Sequence, residues 1–266
     1  MATEESAGGA ELVVLGAGSI LPRAGYGCAG YALRPAPGRP VTLFDCGPGS
    51  VRLLGAVGIE LGEVERVVLS HYHPDHCLDL LALFFARKNP QHRARPLEVV
   101  GPVGLLRLVA SGEAAFGGWV RDPDCELLEV RPDAAGGLAL ERAGARFSAV
   151  RTLHTPDALA WRVDLDSGES LTYSGDSPET PAVGELASGC DLFVCECSFR
   201  EEEATDNHLT PRSAGRLAAR AGCRTLLLTH FYPGLEPEFA RAGAAEEFDG
   251  HIEAARDGSR HALRRA

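Results

Sequence analysis

Six consecutive residues, His71-Tyr72-His73-Pro74-Asp75-His76, carry three imidazoles and a carboxylate. Neutral imidazole and carboxylate are the side chains that bind zinc and similar borderline cations, and a catalytic site needs only a few of them plus water. His71 and His73 alternate. At a strand end residues two apart share a face, so both rings can turn toward one ion. Four such groups in one turn would repel and desolvate one another without a cation, which argues against a mere surface cluster of histidines. The hexapeptide predicts a metal site.

The elements that position it follow from the flanking residues. Val67-Val68-Leu69-Ser70 is a short apolar run suited to a buried strand, and Pro74 breaks it. Asp75 suits a helix N-terminus, and Cys77 to Phe85 continues as an apolar helical segment. The motif then reads as strand, turn and helix start, facing a pocket at the C-terminal edge of a sheet. Further candidates recur at strand ends. His154 closes the run from Phe147 and precedes Thr155-Pro156-Asp157, and His230 closes the apolar run from Arg224. Asp176 sits among small residues in Tyr173-Ser174-Gly175-Asp176-Ser177, which leaves room for a carboxylate to bridge two cations; the competing role is an N-cap for a helix starting near Pro178. Glu196 lies near the end of a buried-looking strand, 191–199, and a buried carboxylate needs a partner. His208, just before a helix predicted over Pro211 to Ala221 and capped by Thr210, offers one.

At the N-terminal end, Glu11 to Leu15 reads as a strand and Gly16-Ala17-Gly18-Ser19 as a tight turn. A dinucleotide-binding fingerprint fails there, because no third glycine falls at the right spacing and Pro22 blocks the following helix. Strands at Cys28 to Leu33 and Val41 to Asp45, joined by a Pro- and Gly-rich turn, make the sheet begin antiparallel, and a helix follows near Ser50 to Val57. Asp45 is a candidate support for the ligands. The middle region predicts strands at 97–100, 126–130 and 145–150 and a helix at 103–110. His92 is assigned to a solvated Arg-rich loop and Phe116 and Trp119 to core packing ahead of a mobile apolar lip over a pocket, while His251 and His261 are assigned to the surface.

The segment Leu43-Phe44-Asp45-Cys46-Gly47-Pro48-Gly49, followed by a helix, a strand and His-x-His-x-Asp-His, resembles the metallo-β-lactamase superfamily, and within it the ribonuclease Z branch. The resemblance runs from Gly16 to about Gly258. It implies an α/β fold, an αββα sandwich of two mixed β-sheets flanked by helices. It also implies two divalent ions, Zn²⁺ first and Mn²⁺ or Fe as other candidates, with His71, His73 and His154 on one, Asp75, His76 and His230 on the other and Asp176 between. In that branch a glutamate and a histidine matching Glu196 and His208 form a proton-donating pair. The implied chemistry is a bridging hydroxide attacking phosphorus, steered by Asp75, with His208 protonating the departing oxygen.

Composition narrows the substrate. The net charge of −11 argues against a general nucleic-acid-binding surface, while a metal pair can still supply positive charge locally to a small anion. Ribonuclease Z proteins that mature tRNA often carry a long arm between the ligands matching His154 and Asp176, and residues 155–175 hold room only for a hairpin. A small or cyclic phosphodiester is therefore expected. Transfer-RNA 3′-processing, a lactonase or similar carbonyl hydrolysis on the same ligands, and a non-enzymatic binding role stand behind it. No run is long and apolar enough to span a membrane, and the start is polar and acidic, so a cytoplasmic protein is expected. The eight cysteines, without paired spacing, are expected to be reduced and mostly buried. The 266 residues are read as one hydrolase domain over 11–258, with a flexible start at 1–10 and a tail at 259–266; the resemblance implies a homodimer.

Overall fold

The computed structural model describes residues 9–89, 95–132 and 137–265. Chain order is β1 (Glu11–Gly16), β2 (Gly30–Arg34), β3 (Val41–Cys46), α1 (Ser50–Ala56), β4 (Val64–Val68), α2 (Pro74–Cys77), α3 (Asp79–Arg87), β5 (Leu97–Pro102), α4 (Leu105–Phe116), β6 (Cys125–Val130), β7 (Gly137–Arg142), β8 (Ala145–Arg151), β9 (Leu159–Leu165), β10 (Ser170–Tyr173), α5 (Pro181–Leu186), β11 (Leu192–Glu196), α6 (Pro211–Ala221), β12 (Thr225–Thr229), α7 (Pro237–Ala244), β13 (His251–Ala254) and β14 (Arg260–Ala262). The strands form two seven-stranded sheets, ordered β14-β1-β2-β3-β4-β5-β6 and β13-β12-β11-β10-β9-β8-β7. Each sheet is antiparallel in one half and parallel in the other. In the first, β3 through β6 run parallel; in the second, β10 through β13 do. This is the expected αββα sandwich.

Three apolar clusters follow from this layering. Leu12, Val14, Phe44, Phe147, Trp161, Val163 and Val194 pack between the sheets. Leu43, Val67, Leu80, Leu83, Phe84 and Val109 join the first sheet to its helices, and Phe193, Leu217, Leu226 and Leu228 join the second to its own. Parallel strands covered on both faces must be apolar throughout, which is why β12 reads Thr-Leu-Leu-Leu-Thr. Fully buried Trp161 donates its indole N–H to the carbonyl of Leu69 at 3.0 Å, fixing the second sheet against the residue that leads into His71. Its truncation to Ala would cost about 3–5 kcal/mol by the usual cavity argument.

Several expectations need correction. The apolar segment after Asp75 is two helices, broken at Leu78; Asp75 lies in the first turn of α2 as expected, with His73 as the N-cap and Pro74 in the first helical position. Within the tail expected at 259–266, Arg260 to Ala262 form a strand paired antiparallel with β1. His261 is buried, because Glu253 on β13 accepts a hydrogen bond from its Nδ1; His251 is exposed as expected. Phe116 and Trp119 are 58 % and 67 % exposed, not core. The buried stripe of α4 stops at Gly112, and the aromatic pair overhangs a groove of about 550 Å³ lined by Leu78, Leu81, Phe85 and Val120. The cysteines are free, and all but half-buried Cys125 are buried. His92 and residues 1–8 lie outside the described residues. Among the described residues no helix is long and apolar enough to cross a membrane.

Candidate metal centre

The candidate ligands gather where strands of both sheets run out, the crevice in which open α/β sheets bind ligands. His71, His73, Asp75 and His76 follow β4, His154 follows β8, Asp176 follows β10 and His230 follows β12. Asp176 stands between two groups. Its Oδ2 lies 3.8 Å from His71 Nε2 and 3.6 Å from His154 Nε2, while its Oδ1 lies 3.4 Å from His76 Nε2 and 3.6 Å from His230 Nε2. Asp75 Oδ2 completes the second group at 3.6 Å from His230 Nε2. His73 Nδ1 completes the first at 3.1 Å from His154 Nε2. Within each of the sets His71, His73, His154, Asp176 and Asp75, His76, His230, one donor atom per residue lies within 4.8 Å of every other. Asp176 is no N-cap, since α5 is capped by Thr180.

Outer partners settle which ring nitrogens point inward. Asp45 Oδ2 accepts hydrogen bonds from Ser70 Oγ, His76 Nδ1 and Tyr173 Oη, each at 2.7 Å, and Asp45 Oδ1 accepts from the Ser70 amide at 2.7 Å. With the Ser70 hydroxyl proton given to Asp45, Ser70 Oγ accepts from His71 Nδ1 at 2.9 Å. Ser198 gives its proton to Glu196 at 2.5 Å and accepts from His230 Nδ1 at 3.0 Å. His154 Nδ1 donates to the Asn207 carbonyl at 3.0 Å. Four imidazoles are thus held with Nδ1–H directed outward and the Nε2 lone pair directed inward, the arrangement outer partners impose on metal-binding histidines.

These residues fit a metal. His71 Nε2 and Asp176 Oδ1 are buried without a hydrogen-bond partner, and such orphans are rare unless an ion or water meets them. His76 Nε2 and His230 Nε2 approach to 3.3 Å. Burial, then the neighbouring His76, pushes the His71 pKa well below the ordinary value; burial and His154 lower that of His73. Both rings therefore favour the neutral form a metal requires. Asp176 is buried, which opposes its charge, yet His230 and His76 hold its pKa well below the carboxylate range. His76 is likewise opposed by burial, but Asp176 and Asp45 hold its pKa well above the usual value. A cation between these groups would take the place of a proton.

The backbone is strained here. Among the described residues, the non-glycine residues at left-handed φ are Asp45, Leu153 and His230, at 55°, 70° and 60°, and each is a candidate ligand, its support or its direct neighbour. Such strain persists only where the surroundings over-determine it. Two glycines let the backbones close in. A Cβ on Gly47 would stand 1.9 Å from the Asp75 carbonyl oxygen, and one on Gly175, at φ 56°, would meet Ser70 Cβ at 2.8 Å.

Glu196 and His208 meet beside this cluster. His208 Nδ1 lies 3.0 and 3.2 Å from the two Glu196 oxygens and 4.0 Å from Asp176 Oδ2. Glu196, 1 % exposed, also accepts from the amides of Ser177 at 2.7 Å and Leu209 at 3.2 Å, so its buried charge is fully met. Burial disfavours the charged His208 ring, but the hydrogen bond and charge of Glu196 prevail and raise its pKa above the ordinary value. Thr210 and Ser213 form a capping box at the start of α6 that anchors the His208 loop. Sequence reasoning missed Ser70, Tyr173 and Ser198, and Ser198 proves to be the shared partner of Glu196 and His230.

Comparison with known proteins follows the same line. The family model described as beta-lactamase superfamily domain matches residues 42–231. An uncharacterized protein of Mycobacterium leprae is 34 % identical over 251 residues, covering 91 % of this chain and 85 % of its own. A protein of Mycobacterium marinum named Ribonuclease Z is 31 % identical over 271 residues, covering 93 % and 96 %. Among solved structures, the metallo-beta-lactamase fold protein YhfI from Bacillus subtilis superposes with a TM-score of 0.82 at 23 % identity, covering 95 % of this chain and 98 % of that one.

Proposed function

Because the chain belongs to the metallo-β-lactamase superfamily, we propose that it is a dinuclear zinc hydrolase acting on a small or cyclic phosphodiester. The observation that carries the substrate chemistry is His208, whose Nδ1 is held 3.0 Å from Glu196 while its ring borders Asp176. A carbonyl hydrolase on the same ligands needs no such pair, whereas a phosphodiester with a poor leaving group needs a proton at the departing oxygen.

In this reading His71, His73 and His154 hold one ion, Asp75, His76 and His230 the other, and Asp176 lies between. When bound, two divalent ions supply Lewis acidity toward phosphoryl oxygens and lower the pKa of bound water toward about 7. Asp75, buried at the start of α2, orients the incoming water as well as serving as a ligand. His208 delivers a proton from Nε2 to the departing alkoxide, and Glu196 holds the ring by Nδ1 and favours its protonated form. His73 reaches the surface, so substrate approaches from that side.

The likeness to a protein named Ribonuclease Z favours a second reading, cleavage of precursor tRNA. Against it stand the net charge of −11 and the interval between His154 and Asp176, which is occupied by the paired strands β9 and β10. We further propose a cytoplasmic homodimer, the exposed apolar side chains of Phe85, Phe116 and Trp119 being the surface that association would cover. The test of function is parallel turnover of bis(p-nitrophenyl) phosphate, cyclic nucleotides, a precursor tRNA and an acyl-lactone by metal-quantified protein. Metal-dependent turnover of the small phosphodiesters with tRNA ignored supports the proposal. Turnover of the lactone alone, or of tRNA in preference to the small esters, refutes it.

A further inference from the structure

We propose that Asp257, remote in sequence from every ligand, is a positioning residue for His230, acting through the loop that follows β1. The inference rests on the reading of His230 as a ligand of the second ion. At φ 60° the side-chain direction of His230 depends on what holds the next peptide, and that peptide is held from outside β12. The Phe231 amide donates to the Ala17 carbonyl at 2.9 Å, and Gly18 pairs with Phe231 in an isolated parallel bridge. The Ala17 amide in turn donates to Asp257 Oδ1 at 3.1 Å and the Gly27 amide to Asp257 Oδ2 at 2.7 Å. The Gly18 amide donates to the Gly27 carbonyl at 2.8 Å. A single carboxylate therefore pins both ends of the 17–27 loop, and that loop supplies the acceptor that fixes the residue after His230.

Asp257 is itself fixed. The Ala255 amide donates to Leu228, the Gly258 amide to Val14, and the Val14 amide to Ser259, at 2.8, 2.8 and 2.9 Å, so its turn is stitched to β12 on one side and β1 on the other. The loop grips the chain beyond His230 a second time. Arg23 donates to the Leu235 carbonyl at 2.9 Å and pairs with Glu236 at 2.8 Å. Its guanidinium lies over Tyr26, which meets Phe231 edge-on at 6.1 Å. Ser198 orients the His230 ring, and Asp257 orients the backbone that carries it. Such outer partners normally govern metal affinity.

The experiment is titration of Zn²⁺ into chelator-stripped wild type, Asp257→Asn, Asp257→Ala and Glu253→Gln, with ¹¹³Cd resonances recorded for the two positions. Asp257→Asn keeps one acceptor and is expected to weaken one of the two ions about 10- to 100-fold, leaving the other at wild-type affinity and shifting a single ¹¹³Cd resonance. Asp257→Ala weakens the same ion further; if it does not fold, the Asn variant carries the test. Glu253→Gln, on neighbouring β13 with its carboxylate hydrogen-bonded to His251 and His261, binds both ions as wild type. Wild-type affinity in Asp257→Asn, an equal loss at both positions, or the same loss in Glu253→Gln overturns the inference. A wild type that takes up fewer than two Zn²⁺ overturns the dinuclear reading beneath it, a separate and distinguishable result.

Discussion

Among the described residues two clusters of histidine and carboxylate stand out, and they are built on opposite rules. At the edge of the sandwich between β13 and β14, His251 Nε2 donates to one oxygen of Glu253 at 2.8 Å, His261 Nδ1 donates to the other, and Ser259 meets the second nitrogen of His261 at 2.8 Å. Each nitrogen facing the carboxylate has its acceptor, and these hydrogen bonds fasten two sheet edges. At the other cluster, the ring nitrogens that have partners use them to turn their lone pairs inward, where His71 Nε2 and Asp176 Oδ1 are left with none. A satisfied cluster holds structure; one whose donors converge unsatisfied calls for a cation. Counting histidines would not have separated them.

Breaking the centre of the unsatisfied cluster should have the largest effect. Asp176→Ala removes the one side chain shared by both ligand groups, and turnover of any metal-dependent substrate should fall by about a thousandfold or more, the loss of several kcal/mol of metal-supplied stabilisation. Steady-state kinetics at saturating metal measure it. His208→Ala should spare the metals but slow esters with poor leaving groups by about 10²- to 10⁴-fold, with a much smaller loss on nitrophenyl esters; equal losses on both would remove His208 from the role of proton donor. A subtler change is Glu196→Gln. Glu196 raises the His208 pKa above its ordinary value, and a proton donor is active below its pKa, so the rate on alkyl esters falls as pH rises through that value. The variant should move that falling limb to lower pH in a pH–rate profile.

The satisfied cluster should give the smallest effect, seen in stability rather than activity. The hydrogen bond from His261, outweighing the burial that opposes it, holds the pKa of Glu253 at about 2, against an ordinary 4.5. A carboxylate with a lowered folded-state pKa stabilises the protein above its unfolded value and loses that contribution as pH falls through the folded one. The stability difference between wild type and Glu253→Gln should shrink as pH falls from 4.5 toward 2, read from denaturant unfolding at a series of pH values. A difference that grows as pH falls from 4.5 to 2 would contradict the role of His261 in holding the Glu253 carboxylate.

What the sequence disclosed and what it hid have physical causes. His71, His73, Asp75 and His76 were legible because local geometry alone puts them in one turn. His154, Asp176 and His230 lie far apart in the chain, and their placement at strand ends became a candidate ligand set only through a family pattern. Ser70, Tyr173 and Ser198 carry no spacing signal, since a hydroxyl that relays a hydrogen bond between Glu196 and His230 looks like any buried serine until the sheets are packed. The fold was legible where periodicity or punctuation was strong, as in α6 between Thr210 and Gly222. It was not where an edge strand is short, as in β14, or only alternately covered, as in β7. The burial of His261 and the exposure of Trp119 were decided by which edge met another element, a tertiary fact that composition does not encode.

The central claim, that the converging donors are a two-metal site, is tested most directly by counting metal. Protein purified without added chelator would be assayed by inductively coupled plasma mass spectrometry, alongside Asp176→Ala, and both melted before and after EDTA treatment. Two divalent ions per wild-type chain, a clear loss in the variant, and a melting temperature that falls on chelation in the wild type only are predicted, since an ion held at a thousand times its Kd adds about 4 kcal/mol. A wild-type chain that purifies free of metal, takes up none from solution and melts unchanged with EDTA would contradict it.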